Sequence, residues 1–244
     1  MRKTDTCRIL GITIDKRSKA ELDAVVRKYL LGTSFHRIAT VNPEFAVLAK
    51  RSETFLSSLL SADIRIADGT GIAIAGLLSG CHLTRYPGAD FLKTILATAN
   101  GQESTVYLAI RKDGLSSFNE IRTILRTSFP RLRICGADLN PISFSLPDGI
   151  RDADMVLCNF GAPEQEYFLE SLRHTDSVVR LAMGVGGSFD FLTGKRKRAP
   201  EWIRSIGLEW LFRLAIQPKR MQRIWTATVI FPFLCLSDRI SNSR

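Results

Sequence analysis

Ile64-Arg65-Ile66-Ala67-Asp68-Gly69-Thr70-Gly71-Ile72-Ala73-Ile74-Ala75-Gly76-Leu77-Leu78 is the stretch that decides the fold. Ile64 to Ala67 reads as a short strand, Asp68-Gly69-Thr70-Gly71 as a tight turn, and Ile72 to Leu78 as an apolar helix. The same unit recurs on both sides. Upstream, Phe35 to Val41 reads as a strand. It ends at Asn42-Pro43, where Asn42 can cap and Pro43 can start a helix running to Ser61. Before that, Arg8 to Ile14 reads as one strand, and the capping box Ser18-Lys19-Ala20-Glu21 opens a helix to about Leu31. Downstream, helices are expected at Ala89 to Asn100, Leu115 to Thr127 and Pro163 to Arg173. Strands are expected at Thr105 to Ile110, Leu132 to Ala137, Met155 to Phe160 and Val178 to Met183. Several of these strands are apolar on both faces. Alternation of this kind predicts an α/β fold, a parallel sheet with helices on both sides. In such a sheet the ligand lies beyond the carboxyl ends of the strands. Thr40 to Asn42, Asp68 to Gly71, Gly161 to Gln165 and Gly184 to Asp190 all fall there.

The 244 residues are 45% hydrophobic and 24% charged, ordinary globular usage that excludes a disordered, collagen-like or polytopic membrane chain. Net charge is +10 and unevenly placed. From Lys195 onward eleven cations face three carboxylates, so the last fifth carries +8. This divides the chain into an α/β domain at 1–194 and a basic helical C-terminal appendage at 195–244. A basic tail suggests an anionic partner: nucleic acid, phospholipid or a phosphorylated substrate. Pro200 to Arg223 reads as two or three short helices broken at Gly207 and Pro218, with tryptophans and leucines between arginines. Lys195-Arg196-Lys197-Arg198 has no nucleic-acid motif beside it, and the aromatic residues that follow suit a lipid headgroup interface better. Thr226 to Leu236 is apolar but only eleven residues long, with Pro232 inside, whereas a spanning helix needs about 20. It reads as a membrane-surface anchor or a core segment. Five cysteines without a C-x-x-C pair (Cys7, Cys81, Cys135, Cys158, Cys235) do not read as a disulfide framework or zinc site; most sit in apolar runs and read as small core residues, which fits a reducing compartment. No secretory signal is visible.

Each candidate site carries a plain structural alternative. Asp68, at a strand end before Gly-Thr-Gly, is placed to be a general base, but a turn aspartate capping the next helix is the commoner use of such a residue. Gly184-Val185-Gly186-Gly187-Ser188 can wrap a phosphate with its N–H groups or simply make a turn needing positive φ. Gly161-Ala162-Pro163-Glu164-Gln165-Glu166 can present Gln165 to a sugar or base, or merely start a helix. Asp152-Ala153-Asp154 lies before a strand, at the wrong edge of the sheet for a metal-and-nucleotide motif. His36, His82 and His174 show no ligand spacing, so no metal or other cofactor is expected.

Taken together, the ordered motifs resemble the WecG/TagA/CpsF type of N-acetylmannosaminyltransferases. They are Thr40-x-Asn42-Pro43-Glu44, Ala67-Asp68-Gly69-Thr70-Gly71, Arg85-x-x-Gly88-x-Asp90, Gly161-Ala162-Pro163-x-Gln165-Glu166, Gly184 to Phe191, Arg198-Ala199-Pro200 and Gly207 to Arg213. The resemblance implies a Rossmann-like inverting glycosyltransferase that moves an N-acetylmannosamine-type sugar from UDP to a polyprenyl-diphosphate-linked sugar. It implies work at the cytoplasmic membrane face without a metal, on an anionic membrane surface, with no nucleic-acid partner and with room for self-association into a homo-oligomer. By position it makes Asp68 the base and sets Thr40 and Asn42 beside the reacting sugar. Arg85 and Gln165 would touch donor or acceptor, the glycines Gly184, Gly186 and Gly187 would lie at the substrate, and Arg213, Arg220 and Arg223 would meet the acceptor diphosphate. Four features depart from the family pattern: the loops Ala109 to Gly114 and Asp138-Leu139-Asn140, a shortened helix before Met155, and Arg85 to Asp90 without the usual threonines. The alternatives are transfer of another UDP-sugar, a hexose or uronic acid, in exopolysaccharide assembly, or a non-catalytic module for a nucleotide or nucleic acid.

Overall fold

The computed structural model describes residues 6–141, 146–216 and 221–242. The chain begins with a hairpin of β1 (Thr6–Ile9) and β2 (Ile12–Asp15) rather than one strand from Arg8 to Ile14. Leu10 (φ 47°) and Gly11 (φ 87°) are both left-handed, the geometry of a two-residue hairpin turn. Helix α1 (Lys19–Leu31) starts at the expected capping box and ends where expected. Strand β3 (His36–Val41) leads into α2 (Pro43–Arg51), whose cap Asn42 accepts from the Phe45 N–H at 3.0 Å. The single helix expected to Ser61 is two. Ser52 is extended and its hydroxyl caps α3 (Glu53–Leu60).

Next come β4 (Ile64–Ala67), α4 (Thr70–Leu78), α5 (Gly88–Gly101) and β5 (Thr105–Arg111). Helix α6 (Phe118–Ser128) begins three residues later than Leu115, because Ser117 and Glu120 form a second capping box. Then follow β6 (Arg133–Leu139), β7 (Met155–Cys158), α7 (Glu164–Ser171), β8 (Leu181–Gly184) and α8 (Ser188–Leu192). Strands β3 to β8 form one all-parallel sheet in the order β4-β3-β8-β7-β5-β6. This is the Rossmann-like α/β architecture expected. Period-two burial explains its two faces. Val106, Leu108, Ile110, Met155, Leu157, Leu181 and Met183 join α1, α5 and α6 in one core, whereas Tyr107, Ala109, Val156, Cys158 and Ala182 pack toward α7. Ala39, Val41 and Ala67 pack with the hairpin and α2 to α4 in a third cluster.

The cysteine expectation needs correcting. Cys7 on β1 and Cys81 after α4 form a disulfide, with Cα atoms 5.9 Å apart. They lie 74 residues apart in sequence, and only the packing of α4 on the hairpin brings them together. Cys158 is buried as expected; Cys135 and Cys235 are half-buried.

The tail folds back over the body. Helices α9 (Glu201–Ser205) and α10 (Glu209–Ile216) are separated at Gly207, as expected, while Pro218 lies outside the described residues. The last segment differs from expectation. Helix α11 (Met221–Trp225) runs through a π-helical turn at Thr226–Ile230 into α12 (Phe231–Asn242). Pro232 does not break it. Proline lacks a donor and crowds the carbonyl four residues back, and the widened turn ahead of it absorbs both defects. The resulting run, Met221–Ser241, is long and apolar enough to cross a membrane by length and composition. One face is nevertheless seated on the protein. Phe231 is 2% exposed and lies against α4 beside Gly71, and Lys50 of α2 pairs with Asp238 at 3.2 Å. The opposite face bares Trp225 and Phe233, 59% and 68% exposed.

Candidate active site

A cleft of about 410 Å³ opens at the carboxyl edge of the sheet. Its floor is made at the strand ends: Thr40 near the end of β3 and Asn42 after it, Asp68 after β4, Arg111 at the end of β5, Asn159 after β7, and Val185 to Gly187 after β8. The tail supplies the roof through Arg196, Arg198, Glu209, Arg213 and Arg223.

Asp68 is held at both ends. Its N–H donates to the Val41 carbonyl at 2.8 Å, and its Oδ1 accepts from the Gly88 N–H at 3.2 Å. A methyl group on Gly88 would sit 3.4 Å from Thr40 Cγ2 and 3.6 Å from Asp68 Oδ2, so both side chains converge on this glycine. Burial pushes the Asp68 carboxyl above its ordinary value. The Gly88 bond and the Arg213 and Arg85 guanidinium groups pull it back, and the Glu209 carboxylate adds to the rise. A carboxylate raised in this way is a better proton acceptor than a free one. Asn42 lines the same cleft while its Oδ1 caps α2.

Gln165 also borders the cleft but is 2% exposed. Its Oε1 accepts from the Gly161 N–H at 3.2 Å, and its Nε2 donates to Glu166 Oε1 at 3.0 Å. Glu166 in turn pairs with the fully buried Arg37 at 2.6 Å. Gln165 therefore shapes the Gly161 turn. Gly184 closes β8 outside the lining, and a side chain there would come within 2.3 Å of Gln165 Nε2. Close packing, not positive φ, requires that glycine. Gly186, with φ 47°, and Gly187 do border the cleft.

Arg85 stands outside the lining. Its Nη1 donates to the Arg204 carbonyl at 2.8 Å and its Nη2 is 4.0 Å from Glu209, so it fastens the roof. Arg213 pairs with Glu209 one helical turn away and lies 5.3 Å over the Phe191 ring. Arg223 pairs with Glu44 at 2.6 Å. Arg220 lies outside the described residues. The Lys195 to Arg198 run is not a free headgroup patch. Lys195 meets Glu120 at 2.6 Å, Arg196 meets Asp190 at 3.2 Å, and Arg198 forks onto Asp90 at 2.6 and 2.8 Å. At the opposite edge of the sheet, Asp154 of the Asp-x-Asp motif accepts from the Thr105 N–H and pairs with Arg180, both at 2.8 Å, away from the cleft. Among the described residues no cluster of three or more His, Cys, Asp or Glu is arranged to hold a metal ion.

Sequence reasoning missed Arg111, Asn159 and Glu209. The first two sit at strand ends, so the carboxyl-edge rule could have found them. Glu209 enters only because the tail folds back, which no local pattern announces.

A family model described as the glycosyl transferase WecG/TagA/CpsF family matches residues 7–244. The chain is 30% identical over 195 residues to an N-acetylglucosaminyldiphosphoundecaprenol N-acetyl-beta-D-mannosaminyltransferase of Bacillus subtilis, covering 77% of this chain and 74% of that protein. It is 32% identical over 200 residues to a protein of the same name from Bacillus spizizenii, covering 77% of this chain and 74% of that protein. It is 26% identical to one from Staphylococcus aureus, over 88% of this chain and 87% of the relative.

Proposed function

The chain belongs to the glycosyl transferase WecG/TagA/CpsF family, and from that premise we propose that it moves an N-acetylmannosamine-type sugar from UDP to a saccharide carried on a polyprenyl diphosphate, with inversion. The supporting observation is the convergence of Asp68 and Thr40 on Gly88, at the floor of a cleft roofed by arginines. An alcohol has a pKa far above neutrality, so its attack is aided by a base within hydrogen-bond reach. Asp68 takes the hydroxyl proton as the oxygen bonds to the anomeric carbon. The bond from that carbon to the UDP oxygen breaks, and UDP leaves with the electron pair from the opposite face. Arginine side chains and the N–H groups of the Gly186-Gly187 turn are the means at hand to stabilise the charge growing on the leaving group.

The appendage at 195–244 has two jobs in this reading. Its inner side roofs the cleft, and Arg213 and Arg223 exchange their carboxylate partners for the acceptor diphosphate. The exposed Trp225 and Phe233 enter the lipid interface, with the seated face of the same helix keeping it in the membrane plane. That arrangement suits a peripheral enzyme at the cytoplasmic face, where the acceptor is embedded. The pairing of Lys195, Arg196 and Arg198 with carboxylates of the body supports this reading over a nucleic-acid module, whose phosphate contacts need unpaired cations.

Incubating the protein with a panel of UDP-sugars and a short-chain prenyl-diphosphate-linked saccharide, read by mass spectrometry, tests the proposal. Addition of one N-acetylhexosamine mass from UDP-N-acetylmannosamine is expected. Transfer from a UDP-hexose or UDP-uronate alone would overturn the donor assignment, and no product from any donor would overturn the activity.

A further inference from the structure

Among the described residues five arginines line the cleft, and four of them already face a carboxylate. Arg196 faces Asp190, Arg198 faces Asp90, Arg213 faces Glu209 and Arg223 faces Glu44. Arg111 is different. No carboxylate among the described residues pairs with it, although Asp113 is two positions away. Its backbone N–H is fixed by Asn159 Oδ1 at 2.7 Å, and its Nη1 donates to the Phe160 carbonyl at 2.6 Å. The second bond orients the guanidinium without cancelling its charge. The remaining N–H donors of that side chain stay available within the cleft, a rigid fork suited to phosphate oxygens.

Its position in the sheet says which phosphate. Strands β4 and β5 are four spacings apart, roughly 19 Å at about 4.8 Å per step. Asp68 and Arg111 thus enter the cleft from opposite sides. In a displacement from the face opposite the leaving group, base and leaving group also lie on opposite sides of the reacting carbon. Building on the donor reading above, we propose that Arg111 is a binding residue for the diphosphate of the nucleoside diphosphate sugar. The roof arginines Arg213 and Arg223 are left to the acceptor.

Calorimetric titration of the full chain with uridine, UMP and UDP tests this, with Arg111→Met and Arg111→Lys as variants and the melting temperature as a check on folding. Wild type is expected to bind UDP more tightly than uridine. Arg111→Met should cut that preference by about tenfold or more, the scale of one lost hydrogen bond to a charged group, while uridine binding stays unchanged. Arg111→Lys should keep part of the preference. Equal weakening of uridine and UDP in Arg111→Met would overturn the proposal and leave Arg111 a brace for the Phe160 loop. Unchanged UDP binding with a raised KM for the lipid-linked acceptor would overturn it in favour of the acceptor diphosphate. A wild type that does not distinguish UDP from uridine would overturn the donor reading and this assignment with it.

Discussion

At the scale of single residues, the chemistry turns on how Asp68 is surrounded. Burial and the Glu209 carboxylate raise its pKa, while the Gly88 N–H, Arg213 and Arg85 lower it, and the balance is upward. A base must be ionised to work, so kcat/KM should fall on the acid side through a limb lying above the ordinary aspartate value of about 3.9. Replacing Glu209 by Gln removes a negative charge and releases Arg213, and both changes favour the ionised form. The limb should therefore move to lower pH in Glu209→Gln, measured as a pH profile of kcat/KM with saturating acceptor. An unmoved limb would exclude Glu209 from the electrostatics of the site. Asp68 and Thr40 were legible in the sequence because strand-end position and motif coincide there. Arg85 was legible as a site residue only through resemblance, and the structure sets it behind the roof, on the Arg204 carbonyl. A side chain several bonds long can turn either way from a loop, and position in sequence does not say which.

Among the elements, the sheet was the most readable because burial on both faces writes apolar runs directly into the sequence. Breaks were less readable. Ser52 splits a continuous apolar helix pattern by capping the second half, and Leu10-Gly11 turns an apparent strand into a hairpin. Both depend on backbone angles that periodicity does not record. The packing of β8 against α7 sets a different limit, since Gly184 reads as a turn glycine but is needed to clear Gln165. Gly184→Ala should push its methyl into the Gln165 amide and loosen the Gly161 turn. A loss of roughly 1–3 kcal/mol in urea unfolding is expected, the usual cost of overpacking. Unchanged stability would mean that Gln165 moves aside freely and does not brace that turn.

For the whole molecule, charge asymmetry announced a distinct tail but not where it goes. Lys195, Arg196, Arg198, Arg204 and Arg223 reach back to carboxylates of the body, and Gly207, with φ 80°, lies so close to Thr70 that a side chain there would meet its methyl at 2.8 Å. Composition cannot reveal such pairings, several of which, Arg198 with Asp90 and Arg223 with Glu44 among them, join residues more than a hundred positions apart. The length of the terminal helix was likewise hidden by Pro232, whose effect the π turn absorbs. Trp225 and Phe233 are exposed and distant from the seated face, so replacing both by Glu should leave melting unchanged. The variant should lose flotation with anionic liposomes and turnover of long-chain acceptor. Retained flotation would contradict membrane docking through this face.

Turnover by purified Asp68→Asn is the most direct measurement. Because the raised pKa makes the ionised carboxylate a cost to the fold at neutral pH, the variant should melt at the same temperature or higher. Asparagine can still accept from the Gly88 N–H but cannot take a proton. A fall in kcat of roughly 10²-fold or more, with intact folding and UDP binding, is the predicted result. Wild-type turnover in that variant would contradict the account.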